Sequence, residues 1–397
     1  MTPIDLLLTD ARLPDGRLTT IAVAGGRIVA LDAPAEAVAR ERIHLGGDLV
    51  LPALIDGHMH LDKTLVGLPW IGHAAEPFRM SRIETDKRIL PGLPLSTEQR
   101  AANLARLCVA QGTGHIRTHV DIDNEGRLAK LEGVCAARER LAGAVSMQIV
   151  AFPQSGVMRC PGVLDLLDAA MREGADLVGG IDPLEIDRDP KGQLDGIFAI
   201  ADRHGRGLDI HLHEPGEMGL FNVQEICSRT RALGLQGKVT ISHGFCLGGV
   251  AESKQQAAAE LMGECGVALV THGAASAPLP PIALLRRHGV TVFAGNDDVR
   301  DTWSPYGNAD MLERISYIGW RADLRHDPML HDILELATGA GAKALGLERY
   351  GLAVGNAADL VTLRAEGVPE AVGAHAPRRL VLHAGRVVAR DGAYCGP

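Results

Sequence analysis

Residues 56–64 read Asp-Gly-His-Met-His-Leu-Asp-Lys-Thr, "DGHMHLDKT", and they follow the apolar run "DLVLPALI". On a strand, residues i and i+2 point to the same side, so His58 and His60 project together from one strand end. Two neutral imidazoles converging in this way can grip a divalent metal. Two ordinary polar residues at a strand end are the plain alternative. The remainder of the chain decides between them.

Seven further short apolar runs follow in the middle of the chain: "GHIRTHVDID", "VSMQIVAFPQ", "ADLVGGIDPLEI", "GLDIHLHEPG", "KVTISHGFCL", "GVALVTHGAAS" and "GVTVFAGNDD". Helix-compatible segments separate them. "STEQRAANLARLCVAQGTG" and "GVLDLLDAAMREGAD" are amphipathic with glycine stops. Strand–helix alternation implies a parallel sheet, and eight units predict a closed (β/α)8 TIM barrel over residues 53–345. An open doubly wound sheet is the runner-up, but no Gly-rich dinucleotide fingerprint follows the first strand. The two ends resemble each other: "AVAGGRIVALD" and "VLHAGRVVARDG" are alternating strands around a Gly-Arg turn. They predict a small β-sandwich domain built from residues 1–52 and 346–397.

The chain has 397 residues, 46% of them hydrophobic, enough for a large core. Its net charge of −9 and the absence of a Lys/Arg run argue against a nucleic-acid groove or a basic membrane surface. No apolar stretch is long enough to cross a bilayer or serve as a secretory signal. The seven cysteines are odd in number, scattered and without a C-x-x-C, which fits reduced thiols in a cytoplasmic protein.

Almost every central run ends in ionisable residues, and in a barrel those strand ends form the catalytic face. The fifth run ends His211-Leu212-His213-Glu214, the sixth Ser242-His243-Gly244, and the eighth Gly295-Asn296-Asp297-Asp298. With His58 and His60 they supply three or four ligands and spare acid and base groups. His211 and His213 face one way by strand alternation, so either can ligate. His119, Asp121 and His272 read as packing or supporting groups, Lys63 as a solvated or paired lysine, and Cys246 as a small buried hydrophobe. Trp70, Phe152 and Trp303 lie beside these motifs and would wall a flat ring or simply pack the rim.

H-x-H after the first strand, H-x-x-E after the fifth, His after the sixth and Asp after the eighth resemble the amidohydrolase superfamily. More narrowly, they resemble bacterial cytosine deaminase and its relatives. "HLDKT", "IRTHVDID", "MQIVAFPQSG" and "DDVRDTWSPYGNADML" lie where that family has similar runs, so the resemblance spans essentially the whole chain. It implies that His58, His60, His211 and Asp297 hold one divalent metal ion, zinc or iron. It implies that Glu214 protonates the substrate ring, that His243 orients the attacking water, and that Asp297 takes a proton from that water. Gln154 and Asp298 would contact the substrate, and His213 and Trp303 would line its pocket.

The chain departs from the deaminase pattern at His213, where the family has Asp, and at Asn296, where it has His. The loop "VGLPWIGHAAEPFRM" differs as well. These changes touch the pocket and leave the metal chemistry intact. The expected activity is hydrolysis of a C–N bond in a small nitrogenous ring, led by deamination of a cytosine-like pyrimidine or related cyclic amidine. Hydrolysis of an N-alkylamino-triazine or a cyclic amide is the alternative. A barrel without catalysis and a two-metal ester hydrolase are the rivals from other classes. A homo-oligomer is expected, with a small heterocycle as its only partner.

Overall fold

Residues 3–396 are described by a computed structural model. Five strands come first: β1 (Ile4–Arg12), β2 (Leu18–Ala24), β3 (Arg27–Ala30), β4 (Ala39–His44) and β5 (Leu49–Pro52). The central strands are β6 (Leu54–Met59), β7 (Thr113–Asp121), β8 (Ser146–Phe152), β9 (Leu177–Ile181), β10 (Gly207–Leu212), β11 (Val239–His243), β12 (Val267–Thr271) and β13 (Val292–Ala294). Four more close the chain: β14 (Leu360–Leu363), β15 (Arg378–His383), β16 (Arg386–Arg390) and β17 (Ala393–Tyr394).

Strands β6 to β13 pair in chain order, and every pair is parallel. The eight expected runs are these eight strands. β6, β7 and β9 are buried along their whole length, as parallel strands covered on both faces must be. Polar side chains on them therefore need internal partners. Arg117 of β7 finds four, donating to Gln148, Asp209, Thr240 and the Ala344 carbonyl. The helices follow their sequence signals. Thr97–Ala110 starts at a Ser96/Gln99 capping box. Val163–Arg172 turns Leu166, Leu167 and Ala170 to the core.

The barrel closes at the seam between β13 and β6. A bridge links Met59 to Asp297, and the Asp297 N–H donates to the His58 carbonyl at 2.8 Å. Glycine is required there for close approach. A Cβ on Gly57 would lie 2.3 Å from the Phe293 ring, and one on Gly295 would lie 2.4 Å from the His58 nitrogen.

The terminal strands form a second sheet in the order β17-β16-β15-β14-β5-β1-β2-β3, with β4 paired to β1. Its two halves meet where β5 runs antiparallel to β14. Alternation along these two strands divides their side chains between two cores. Val50 and Leu360 pack within the terminal sheet, while Leu49, Leu51, Val361 and Leu363 join the barrel core. Among the described residues no helix is long and apolar enough to cross a membrane.

Candidate metal centre and active site

His58 lies at the end of β6, where its tautomer is fixed from behind. Its Nδ1 is 2.9 Å from Ser242 Oγ, and the Ser242 hydroxyl donates to Asp209 at 2.5 Å. The single hydroxyl proton is thereby used, so Nδ1 must donate to Ser242. That leaves Nε2 as a bare lone pair facing the barrel mouth, where it makes no hydrogen bond. A partner behind the ring is the usual device for orienting a metal-binding histidine.

The other donors gather around that atom. His58 Nε2 and His60 Nε2 each lie 3.3 Å from Asp297 Oδ1. His211 Nε2 is 3.5 Å from His60 Nε2. The His211 ring is stacked on Phe152, with centroids 4.0 Å apart. All four residues are buried or nearly so. Burial, with help from Lys63, pushes His60 down to about 3, and burial with neighbouring imidazoles holds His211 well below its ordinary value. Burial opposes ionisation of Asp297, yet the facing histidines keep it a carboxylate. Three imidazoles and one carboxylate gathered in a dry site form a donor set that fits a divalent ion such as zinc or iron. Their mutually facing lone pairs would repel without a cation between them.

Asp297 has a φ of +62° and His243 a φ of +73°. A left-handed backbone at a non-glycine residue is costly and persists only where surrounding contacts hold it. Asp297 Oδ2 turns to the other side, 3.2 Å from His272 Nδ1 and 3.9 Å from His243 Nδ1. His272 and His243 are themselves 3.2 Å apart through their Nδ1 atoms. The aspartate thus presents one oxygen to the proposed ligands and one to a pair of imidazoles.

His213 stacks on His243 at 4.3 Å and lines the cavity above the donors. Asp182, at the end of β9, accepts from the His213 backbone N–H at 2.6 Å and from its Nδ1 at 2.7 Å. Arg79 Nε lies 3.2 Å from the same carboxylate. Although burial opposes it, these cationic and donor partners keep Asp182 ionised. Glu214, expected to act as the acid, sits differently. Its carboxylate is buried behind the wall, accepting from the backbone N–H groups of Leu184 and Glu185 at 2.7 and 2.8 Å and from the Asn222 amide. Burial and then Asp182 raise its pKa to about 7.

The rim is built from loops. Helix α1 (Arg79–Ile89) crosses the mouth and brings in Asp86. That carboxylate accepts from Trp303 Nε1 at 2.7 Å, from Gln154 Nε2 at 3.0 Å, and from the Thr302 hydroxyl. The oxygen of Gln154 accepts from buried Lys63, so both ends of this amide are bound within the protein. Lys63 also lies 3.3 Å from Asp121, and its ammonium is 5.2 Å from the Trp303 ring centroid. Burial opposes its charge, but Asp121, Asp86, Asp62 and Asp298 together hold its pKa above the ordinary value. Asp298 also lines the cavity, and burial beside Asp301 and Asp297 raises its pKa well above the usual range.

All of the expected site residues except Glu214 line this cavity or its floor: His60, His211, Asp297, His213, Gln154, Asp298 and Trp303 border it, with His58 and His243 beneath. Its volume is about 200 Å³. Phe152 supplies a wall, whereas Trp70 lies away from it, 73% exposed. Sequence reading passed over Asp182, Asp86 and the role of His272. His272 follows the seventh run just as His243 ends the sixth, and Asp182 follows the fourth, so strand-end position was the available signal. Asp86 had none, because only the fold of the loop after β6 brings it inward.

The model of the Amidohydrolase family matches residues 41–389. The N-isopropylammelide isopropyl amidohydrolase of Pseudomonas sp. strain ADP is 30% identical over 396 residues, 98% of each chain. The crystal structure of N-isopropylammelide isopropylaminohydrolase from Burkholderia multivorans superposes with a TM-score of 0.94 at 44% identity, over 98% of this chain and 99% of that one. The structure of 5-methylcytosine deaminase from Klebsiella pneumoniae liganded with 5-fluorocytosine gives 0.85 at 26% identity, over 97% of each.

Proposed function

The chain belongs to the amidohydrolase family and is a hydrolase of C–N bonds, and from that premise we propose that it removes an alkylamine from an N-alkylamino group on a triazine-type ring. Supporting this are two relatives of nearly equal length whose names specify isopropylamine removal from N-isopropylammelide. The carrying observation is the polar, ring-sized cavity bordered by His60, His211 and Asp297, with His58 in the same cluster as His60 and Asp297 and also beside His211. Deamination of a cytosine-like ring is the second reading, favoured by the likeness to 5-methylcytosine deaminase. The two differ only in what hangs on the departing nitrogen.

His58, His60, His211 and Asp297 would hold one zinc or iron ion. When bound, such an ion lowers the pKa of a water molecule to roughly 7, making it nucleophilic at neutral pH. Asp297 Oδ2, beside His243 and His272, is placed to take up the water proton. His243 steers the water and stabilises the charge that forms on the attacked carbon's oxygen. Trp303 and Phe152 wall the ring. Gln154 and Asp298 offer edge contacts, Gln154 only after giving up a bond to Asp86 or Lys63.

Two groups could supply a proton to the ring. Glu214 has a pKa suited to an acid near neutrality but must swing off its backbone amides to reach the cavity. His213 needs no movement, and Asp182 behind its Nδ1 fixes the orientation of the ring. The test is to assay isopropylamine release from N-isopropylammelide and ammonia release from cytosine and 5-methylcytosine, with about one metal per chain. We expect the first reaction to dominate. Loss of turnover in Glu214→Gln with metal retained assigns the proton to Glu214. Loss in His213→Asn, with Glu214→Gln active, assigns it to His213. Release of neither product from any ring would overturn the proposal.

A further inference from the structure

A second, larger cavity of about 1030 Å³ opens directly off the ring-sized one. Trp303, Arg82, His272, Asp297 and Asp298 are among the walls common to both, so the two chambers adjoin beside the donor set. The inner chamber is smaller than the roughly 300–1,000 Å³ of ordinary small-molecule sites and suits a single ring. The outer one is far larger than a three-carbon substituent fills.

Its lining is unusual for this chain. Only 3% of the residues are aromatic. Yet of the chain's three Trp and four Tyr residues, Trp303, Trp320, Tyr306 and Tyr317 all border this one cavity. Tyr306 is 78% and Trp320 71% exposed. Large aromatic side chains left in water around a concave wall mark a surface awaiting an apolar occupant. The walls shared with the inner chamber, Trp303 among them, place this surface within reach of a group carried by a ring bound there.

We propose that the outer cavity receives the substituent on the departing nitrogen, and that the preferred substrates carry an aryl or arylalkyl group there. This rests on the amine-releasing reading above and extends it from a short alkyl group to a bulky aromatic one. The chemistry is unchanged and needs only water. A C–O bond forms to the ring carbon and the exocyclic C–N bond breaks. The electron pair of that bond stays on nitrogen, which takes up a proton and departs as the free amine.

The experiment compares kcat/KM for one ring bearing amino, methylamino, isopropylamino and benzylamino groups. We expect at least a tenfold rise from amino to benzylamino. In the double variant Trp320→Ala/Tyr306→Ala, the benzylamino-to-amino ratio falls about tenfold or more. Because both side chains are mostly exposed, the fold should tolerate the change. Quenching of tryptophan fluorescence that is greater for the benzylamino than for the amino ring, with the excess lost in Trp320→Ala, reads occupancy of the outer cavity without any turnover. A flat or falling series, or a ratio untouched by the double variant, overturns the proposal while leaving amine release standing. A double variant that dissociates an oligomer but keeps the ratio assigns the aromatic wall to a contact between copies and also overturns it. Absence of turnover on every ring overturns the amine-releasing reading. In that case quenching alone decides whether the cavity binds aromatic substituents.

Discussion

The floor and the rim of this site are made in different ways. Every donor on the floor sits at or just past a barrel strand end, and its direction follows from hydrogen bonding between strands. Asp297 is pinned to His58 by a main-chain bond at the seam, and His58 is pinned by Ser242 and Asp209. The rim depends on side-chain contacts between loops far apart in sequence. Asp86 on α1 reaches Trp303 across 217 positions and Gln154 across 68. Rigid scaffolds fix chemistry, and loops fix selectivity. Damage to the floor should therefore abolish reaction, whereas damage to the rim should change which substrate is held and how well.

The largest effect is expected from Asp297→Asn, which would remove a proposed ligand and the proposed base together. Metal content measured by elemental analysis should fall, and kcat should drop roughly 10³-fold or more. Full metal loading with near-normal turnover would break the assignment of Asp297 to the floor.

Glu214 lies between the two regions, and its burial can be read through pH. Folding raises its pKa from the ordinary 4.5 to about 7. Between those values the folded chain holds a proton that the unfolded chain has lost, so the group's contribution to stability declines as pH rises through this window and is constant above it. Glu214→Gln removes that decline. Denaturant titrations should show the variant gaining on the parent from about pH 4.5 to 7, by on the order of 2–3 kcal/mol, and no further above pH 7. A constant difference across the window would mean that the carboxylate is not held apart from water.

The smallest effect belongs to Asp86→Asn. The amide keeps one acceptor but loses the charge that gathers Trp303, Gln154 and Thr302. KM should rise about tenfold, with kcat changed less than threefold and metal content intact. A collapse of kcat with unchanged KM would move Asp86 from the rim to the chemistry and erase the distinction.

The same division explains what could be read from the sequence. The barrel was legible because eight apolar runs ended in ionisable residues, and His58, His60, His211, His243 and Asp297 all stood at those ends. Strand periodicity carries such positions reliably. His213 was legible as a wall residue, but its partner Asp182 was not, because a pairing between two strand ends leaves no local pattern. Glu214 lay at the expected spacing. Its orientation is set by the backbone N–H groups of Leu184 and Glu185 and by Asn222 in the following helix, which spacing cannot foresee. Asp86 and the aromatic wall of the outer cavity depend wholly on loop folding.

The seam between the first and last barrel strands acts as a clasp. One residue, Asp297, fastens the circle through its main chain and faces the imidazoles through its side chain. An ion gripped by the four donors would tie residue 58 to residue 297, nearly the full span of the central fold, and by mass action would favour the closed circle over any opened one. Such an ion would reinforce a ring that the short three-residue strand β13 closes with few hydrogen bonds of its own.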